Sequence, residues 1–177
     1  MMSGDASVTD EGAPADIEIQ RATGAATPPD DEVTAWVAAV LATAPSAEAV
    51  ARSNAEPAGP GAVCVRFVDD EESAALNAAY RGKEGPTNVL SFPAEIDLPE
   101  LRVWGDLVIA APLVAREAQE QGKPVTDHCA HLVVHGVLHL LGYDHQDAAE
   151  ADQFEHLERG VLARFGVADP YAAENAT

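Results

Sequence analysis

His135, His139 and His145 fall at the spacing H-x3-H-x5-H inside the string His135-Gly136-Val137-Leu138-His139-Leu140-Leu141-Gly142-Tyr143-Asp144-His145. Neutral imidazole is a common ligand for divalent transition metals. On an α-helix His135 and His139 share one face, one turn apart. Their nitrogens can then meet at a point about 2.0–2.1 Å from each. Gly142 stands three residues past His139, where a left-handed glycine commonly ends a helix. The turn beyond it can swing His145 back toward the same point. Three protein ligands leave one tetrahedral position open, the pattern of a catalytic rather than a structural site. Zinc, one ion per chain, suits a three-histidine set, and other divalent ions can take the same ligands.

The neighbouring histidines are expected to do less. His131 continues the stripe by one turn, but its Cα would lie about 12 Å along the axis from that of His139. One ion cannot comfortably collect both together with His135, so His131 is expected to support a ligand or pack beside it. Asp144 adjoins His145 and is expected to orient a ligand imidazole, with service as the base as the alternative. His128 is expected to be solvated near the helix start, and His156 to lie on the surface of a later charged helix. Cys129, off the His135/His139 face, reads as a small buried residue.

The same frame, H-x3-H-x2-G-x2-H, is that of metzincin peptidases, which need a glutamate directly after the first histidine as base for the metal-bound water. That position is Gly136. Glycine cannot accept a proton, so the peptidase reading loses its base. A glycine there also lets another backbone or a substrate approach the helix closely.

Composition bounds the rest. A chain of 177 residues has room for one core. No uninterrupted apolar run reaches the roughly 18 residues of a membrane span, and the start lacks a basic segment followed by an apolar one. Two cysteines, Cys64 and Cys129, do not make a disulfide framework, and a cytoplasmic location is the default. The net charge of −20 argues against strong binding of nucleic acid, because phosphate neutralisation drives that affinity. The acids are concentrated toward the ends, however, with seven in residues 1–31 against one base. Arg81 and Lys83 fall in one short loop, and such a spot beside a divalent cation can hold a phosphodiester.

The elements that must position these residues can be read from the pattern. Residues 1–15 read as a disordered acidic tail, 16–166 as a single domain and 167–177 as a flexible tail. Strands are expected over 16–20, 62–68, 88–92 and 103–110. A helix starts near Pro28–Asp31, with Val33, Trp36, Val37, Val40 and Leu41 as its stripe. Asp69 or Asp70 caps a second, to about Tyr80, and a third runs about 112–121. Thr126 or Asp127 starts the histidine helix, which ends near Leu141, and a last helix spans about 148–165. Helices around a small sheet of about four strands make the class α+β.

Three blocks, in order, resemble the YbeY endoribonucleases, the bacterial rRNA maturation factors. They are Leu76-Asn77-Ala78-Ala79-Tyr80-Arg81-Gly82-Lys83-Glu84-Gly85-Pro86-Thr87-Asn88-Val89-Leu90-Ser91-Phe92-Pro93, then Gly105-Asp106-Leu107-Val108-Ile109, and the histidine string above. The resemblance covers about residues 60 to 165. It departs at Glu84, where the family usually has Asp, and at Trp104, where Leu commonly precedes Gly-Asp. It implies a zinc-dependent endoribonuclease specific for single strands, acting in 16S rRNA 3′-end maturation and ribosome quality control. Its partners would be precursor 16S rRNA, the small ribosomal subunit and assembly factors, with no DNA and no membrane. It also implies a phosphate contact for Arg81, since by position alone an arginine at a helix end serves the dipole. Lys83 and Ser91 would line the same cleft. Two other readings stay open: a non-catalytic, metal-stabilised ribosome assembly factor, and a metallohydrolase or peptidase on another substrate.

Overall fold

A computed structural model describes residues 16–54, 56–94, 102–144 and 147–171. It has an α+β architecture in the order β1 (Asp16–Ala22), α1 (Asp30–Thr43), α2 (Ala47–Ala51), β2 (Ala62–Val68), α3 (Asp70–Arg81), β3 (Val89–Pro93), β4 (Val103–Ala110), α4 (Ala111–Gln121), α5 (Val125–Leu140) and α6 (Ala148–Ala163). The four strands form one sheet in the order β1-β2-β4-β3. β1, β2 and β4 run parallel, and β3 is antiparallel to β4.

Alternation along β2 and β4 sends Val63, Val65, Phe67, Leu107 and Ile109 into the main core, with α1 and α5. The opposite face is thinner: Val68, Leu90 and Val108, with Leu76 of α3 and Phe92 packed against them. Helix α5 lies at the centre, touching β3, β4, α1, α4 and α6. From His131 to Leu140 every residue is buried except His131, His135 and His139. Beyond its first turn, this helix therefore opens to solvent only along its histidine stripe.

Several expectations need correction. Helix α5 starts at Val125 after Pro124 rather than at Thr126 or Asp127, and has no side-chain cap. Proline at that boundary lacks only an N–H that a helix start leaves unpaired anyway. Asp69 precedes α3 without a capping hydrogen bond, because its carboxylate accepts from the Thr23 hydroxyl of the loop after β1. Helix α2 was not anticipated; Ser46 caps it, accepting from the Ala49 amide. The stretch Asp30–Ala51 is long and apolar enough for a membrane span once its many alanines are counted. In the fold it divides at Ala44–Ser46, and Val33, Trp36, Val37, Val40 and Leu41 cover the sheet.

Candidate metal centre and substrate cleft

His135 and His139 are one turn apart on α5, and their Nε2 atoms stand 3.2 Å from each other. Two nitrogens bound to one tetrahedral zinc at ordinary bond lengths would be about 3.3 Å apart. The tautomers follow from what each Nδ1 faces. His139 Nδ1 is 3.0 Å from the Tyr143 carbonyl, which can only accept, so Nδ1 carries the proton. His135 Nδ1 is 2.9 Å from Glu158 Oε2. Burial pushes the Glu158 carboxyl up, but hydrogen bonds from His131, His135 and Tyr171 outweigh that and hold it down to about 2. Glu158 is therefore an anion, and His135 Nδ1 also donates. In neutral rings both Nε2 atoms are then lone-pair acceptors, 3.2 Å apart. Two such acceptors in contact call for a cation, so the donor chemistry fits a divalent metal.

The turn after α5 is built to hold this geometry. The Gly142 amide donates to the His139 carbonyl and the Tyr143 amide to that of Leu138, the Schellman pattern. Gly142 takes φ 99°, a value that favours glycine. The Tyr143 ring is buried, and its hydroxyl donates to the Pro45 carbonyl at 2.7 Å. The turn thus places the carbonyl that orients His139. His145, the expected third ligand, lies outside the described residues.

Glu158 is the functional residue the sequence reading missed. It sits on α6 with no exposed surface. One oxygen serves His131 and His135, at 3.2 and 2.9 Å, and the other accepts from the Tyr171 hydroxyl. The clue was available: Phe154, Glu158, Val161 and Leu162 follow helical spacing, and Glu158 is the one charge on that stripe. His131, His135 and Glu158 are also a group whose ligand atoms lie within 4.8 Å, close enough to hold a metal. Glu158 walls none of the described clefts, whereas His135 and His139 open on one. We therefore assign the carboxylate to orienting His135, as carboxylates commonly do behind a ligand imidazole. His131 bonds to Glu158, in keeping with a supporting part.

His128 departs from expectation. It is 4 % exposed, and its Nε2 lies 2.8 Å from Glu117 Oε1. Burial lowers its pKa more than Glu117 raises it, and Lys123 and His131 lower it further. The pair is a neutral imidazole donating to a carboxylate, not an ion pair, at pH 7. The same Glu117 oxygen accepts from Asn88 Nδ2, which ties the start of β3 to α4 and α5. His156 is exposed and Cys129 buried, as expected.

The two imidazoles share a cleft of about 770 Å³ with Tyr80, Arg81, Ser91 and Phe92, and with Asp144 at the α5 turn. Arg81 is exposed and makes no ion pair among the described residues. Two buried polar residues of α3 fix the loop beyond it. Ser73 Oγ donates to the Thr87 carbonyl at 2.7 Å and accepts from its amide, and Asn77 Nδ2 donates to the Gly85 carbonyl. Lys83 stands on this exposed loop and is not among the residues that wall the cleft. The Ser91 hydroxyl donates to the Gly136 carbonyl at 3.1 Å, stitching β3 to α5.

Gly136 is explained by packing. A Cβ there would stand 2.7 Å from Leu107 Cδ2 and 3.3 Å from Ser91 Oγ. The approach is by the sheet. A glutamate at this position would point into β3 and β4, so the peptidase base is excluded by geometry as well as by identity.

The family described as Endoribonuclease YbeY matches residues 18–166. A protein named Endoribonuclease YbeY from Halorhodospira halophila is 49% identical over 160 residues, 88% of this chain and 96% of its own. The protein of that name from Alkalilimnicola ehrlichii is 52% identical over 164 residues, 88% of this chain and 90% of its own. One from Xanthomonas campestris is 58% identical over 117 residues, 63% of this chain and 73% of its own. The fold is similar to a Thermotoga maritima protein solved in solution, with TM-score 0.50 and 24% identity over 87% of this chain and 97% of that one. With the match running from β1 past α6 and relatives about 50% identical over most of their length, the chain belongs to the YbeY endoribonuclease family.

Proposed function

We propose that this protein is a metal-dependent endoribonuclease that hydrolyses single-stranded RNA, with His135, His139 and His145 as ligands of one zinc ion. The observation that carries the reading is the 3.2 Å approach of the His135 and His139 Nε2 atoms in a cleft that also holds Arg81. A bound divalent ion there would activate water and polarise a phosphoryl oxygen. The chain's own residues do the rest. Glu158 and the Tyr143 carbonyl hold the two imidazoles in the Nδ1–H tautomer. Arg81 offers a planar fork of donors that matches phosphate oxygens and offsets charge added during attack. Ser91 lines the cleft, Lys83 adds positive charge at the loop, and Asp144 orients a ligand imidazole.

By the names of its relatives the substrate is RNA, and we assign the natural substrate to precursor 16S rRNA at its 3′ end, on the small ribosomal subunit in the cytoplasm, within ribosome quality control. The charge of −20 favours one competing reading, a metal-stabilised assembly factor that does not cut. The two separate in one assay. Metal-replete protein is incubated with precursor 16S rRNA, beside Arg81→Ala. Cleavage by the wild type, with activity at least tenfold lower and unchanged metal content in Arg81→Ala, supports the nuclease. Binding of ribosomal subunits without cleavage supports the assembly factor.

A further inference from the structure

Tyr80 is 68 % exposed, the most exposed large apolar side chain among the described residues. It occupies the last turn of α3, directly before Arg81, and both residues wall the cleft that contains His135 and His139. Its ring meets that of Phe92 edge to face, with centroids 5.0 Å apart and planes at 73°. Phe92 in turn packs on the small cluster of Val68, Leu90 and Val108. The Tyr80 ring is thus braced from one side by the sheet while most of its surface stays exposed at the wall of the cleft. The loop behind it is pinned through Ser73 and Asn77, so the ring is held in place beside the guanidinium.

Charge gives this ring a task. A chain at −20 gains little from general attraction to phosphate. Stacking of unpaired bases on aromatic side chains needs no net positive charge and tolerates any base. A nucleotide carries its base one ribose away from its phosphate, and the residue next to the phosphate-contacting Arg81 is an open aromatic ring.

We propose that Tyr80, braced by Phe92, is a binding platform for one unpaired nucleobase of the substrate strand, next to the phosphate held by Arg81. This rests on the RNA reading above, and it would make the requirement for single strands a property of the cleft, because a base held in a duplex cannot stack on the ring.

The test uses metal-replete full-length protein and a single-stranded RNA cleaved at one bond, together with copies carrying one abasic nucleotide at each position around that bond. Loss of one stacked base corresponds to about 5- to 150-fold in affinity. Tyr80→Ala should raise KM within that range with kcat changed less than threefold, while Tyr80→Phe stays near wild type. One abasic position should reproduce the loss in wild type and cost nothing further in Tyr80→Ala. Circular dichroism and a cooperative urea transition should be retained in both variants, since most of the ring is exposed. Wild-type cleavage with an unchanged KM in Tyr80→Ala overturns the platform alone, as does an abasic penalty equal in both proteins at every position. Failure of wild-type protein to bind or cut any of these RNAs overturns the RNA reading, and the platform with it.

Discussion

Glu158 Oε2 sits 2.9 Å from His135 Nδ1, and the carboxylate that carries it has no exposed surface. A buried anion would be costly without partners. Here His131, His135 and Tyr171 supply them, and the anion fixes which His135 nitrogen faces the cleft. Removing the negative charge should therefore weaken metal binding without removing a ligand. Glu158→Gln is expected to lower zinc affinity about 10- to 100-fold, measured by competition with a chromophoric chelator. Affinity equal to wild type would show that the carboxylate does not orient the site.

Gly136 should resist substitution for a reason outside catalysis. Alanine would favour the helix by about 0.8–1 kcal/mol. Against that, the added Cβ meets Leu107, a fully buried side chain, at 2.7 Å, and overpacking of this kind costs about 1–3 kcal/mol. Overpacking wins, so Gly136→Ala should lower the unfolding free energy by a net of about 1 kcal/mol, read as a lowered urea midpoint. Leu107→Val in the same chain should recover part of the loss. A raised midpoint for Gly136→Ala would contradict the packing argument.

The pH dependence of stability tests the buried His128. Its folded pKa lies below the unfolded value of 6.5. Below 6.5 the unfolded chain binds a proton that the folded site resists, so this contribution is present above 6.5 and is lost progressively as pH falls from there through the lower folded pKa. Metal-free protein should lose stability between pH 7.5 and 5.5. His128→Gln should flatten that slope, as read from urea midpoints at the two pH values. An unchanged slope would mean that the charge change lies elsewhere.

Much of this was legible in the sequence because local pattern and global fold agree. The histidine stripe, the cap at Gly142 and the strands at 62–68 and 103–110 each follow from spacing alone, and each forms. The remainder depends on contacts far apart in the chain. Glu158 looks like one more acid in a charged helix until α6 packs on α5. Ser73 and Asn77 bond to the loop beyond Arg81, eight to fourteen residues on, a contact that helical spacing does not show. His128 was expected in water because it lies near a helix start, yet Glu117, eleven residues earlier, covers it. Local spacing shows which residues share a face, but not what that face meets.

Gly142 links the helix end to the His139 tautomer. Its φ of 99° is one an alanine adopts only with strain. The displaced turn would also move the Tyr143 carbonyl from His139 Nδ1. Gly142→Ala should cost about 1–2 kcal/mol in stability and weaken zinc binding in parallel, whereas Tyr143→Phe, which loses only the hydroxyl on Pro45, should cost about 0.5–1.5 kcal/mol and spare the metal. Equal zinc affinities for Gly142→Ala and wild type would separate the turn from the site.

The central claim is that the paired Nε2 atoms of His135 and His139 hold the ion on which RNA cleavage depends. One measurement addresses it directly: zinc content by elemental analysis and cleavage of a single-stranded RNA, taken on the same preparations of wild type and His139→Ala. The account predicts about one zinc per chain and cleavage for wild type, and loss of both for the variant, with circular dichroism retained. Full zinc occupancy in His139→Ala, or cleavage that survives the substitution, would contradict it.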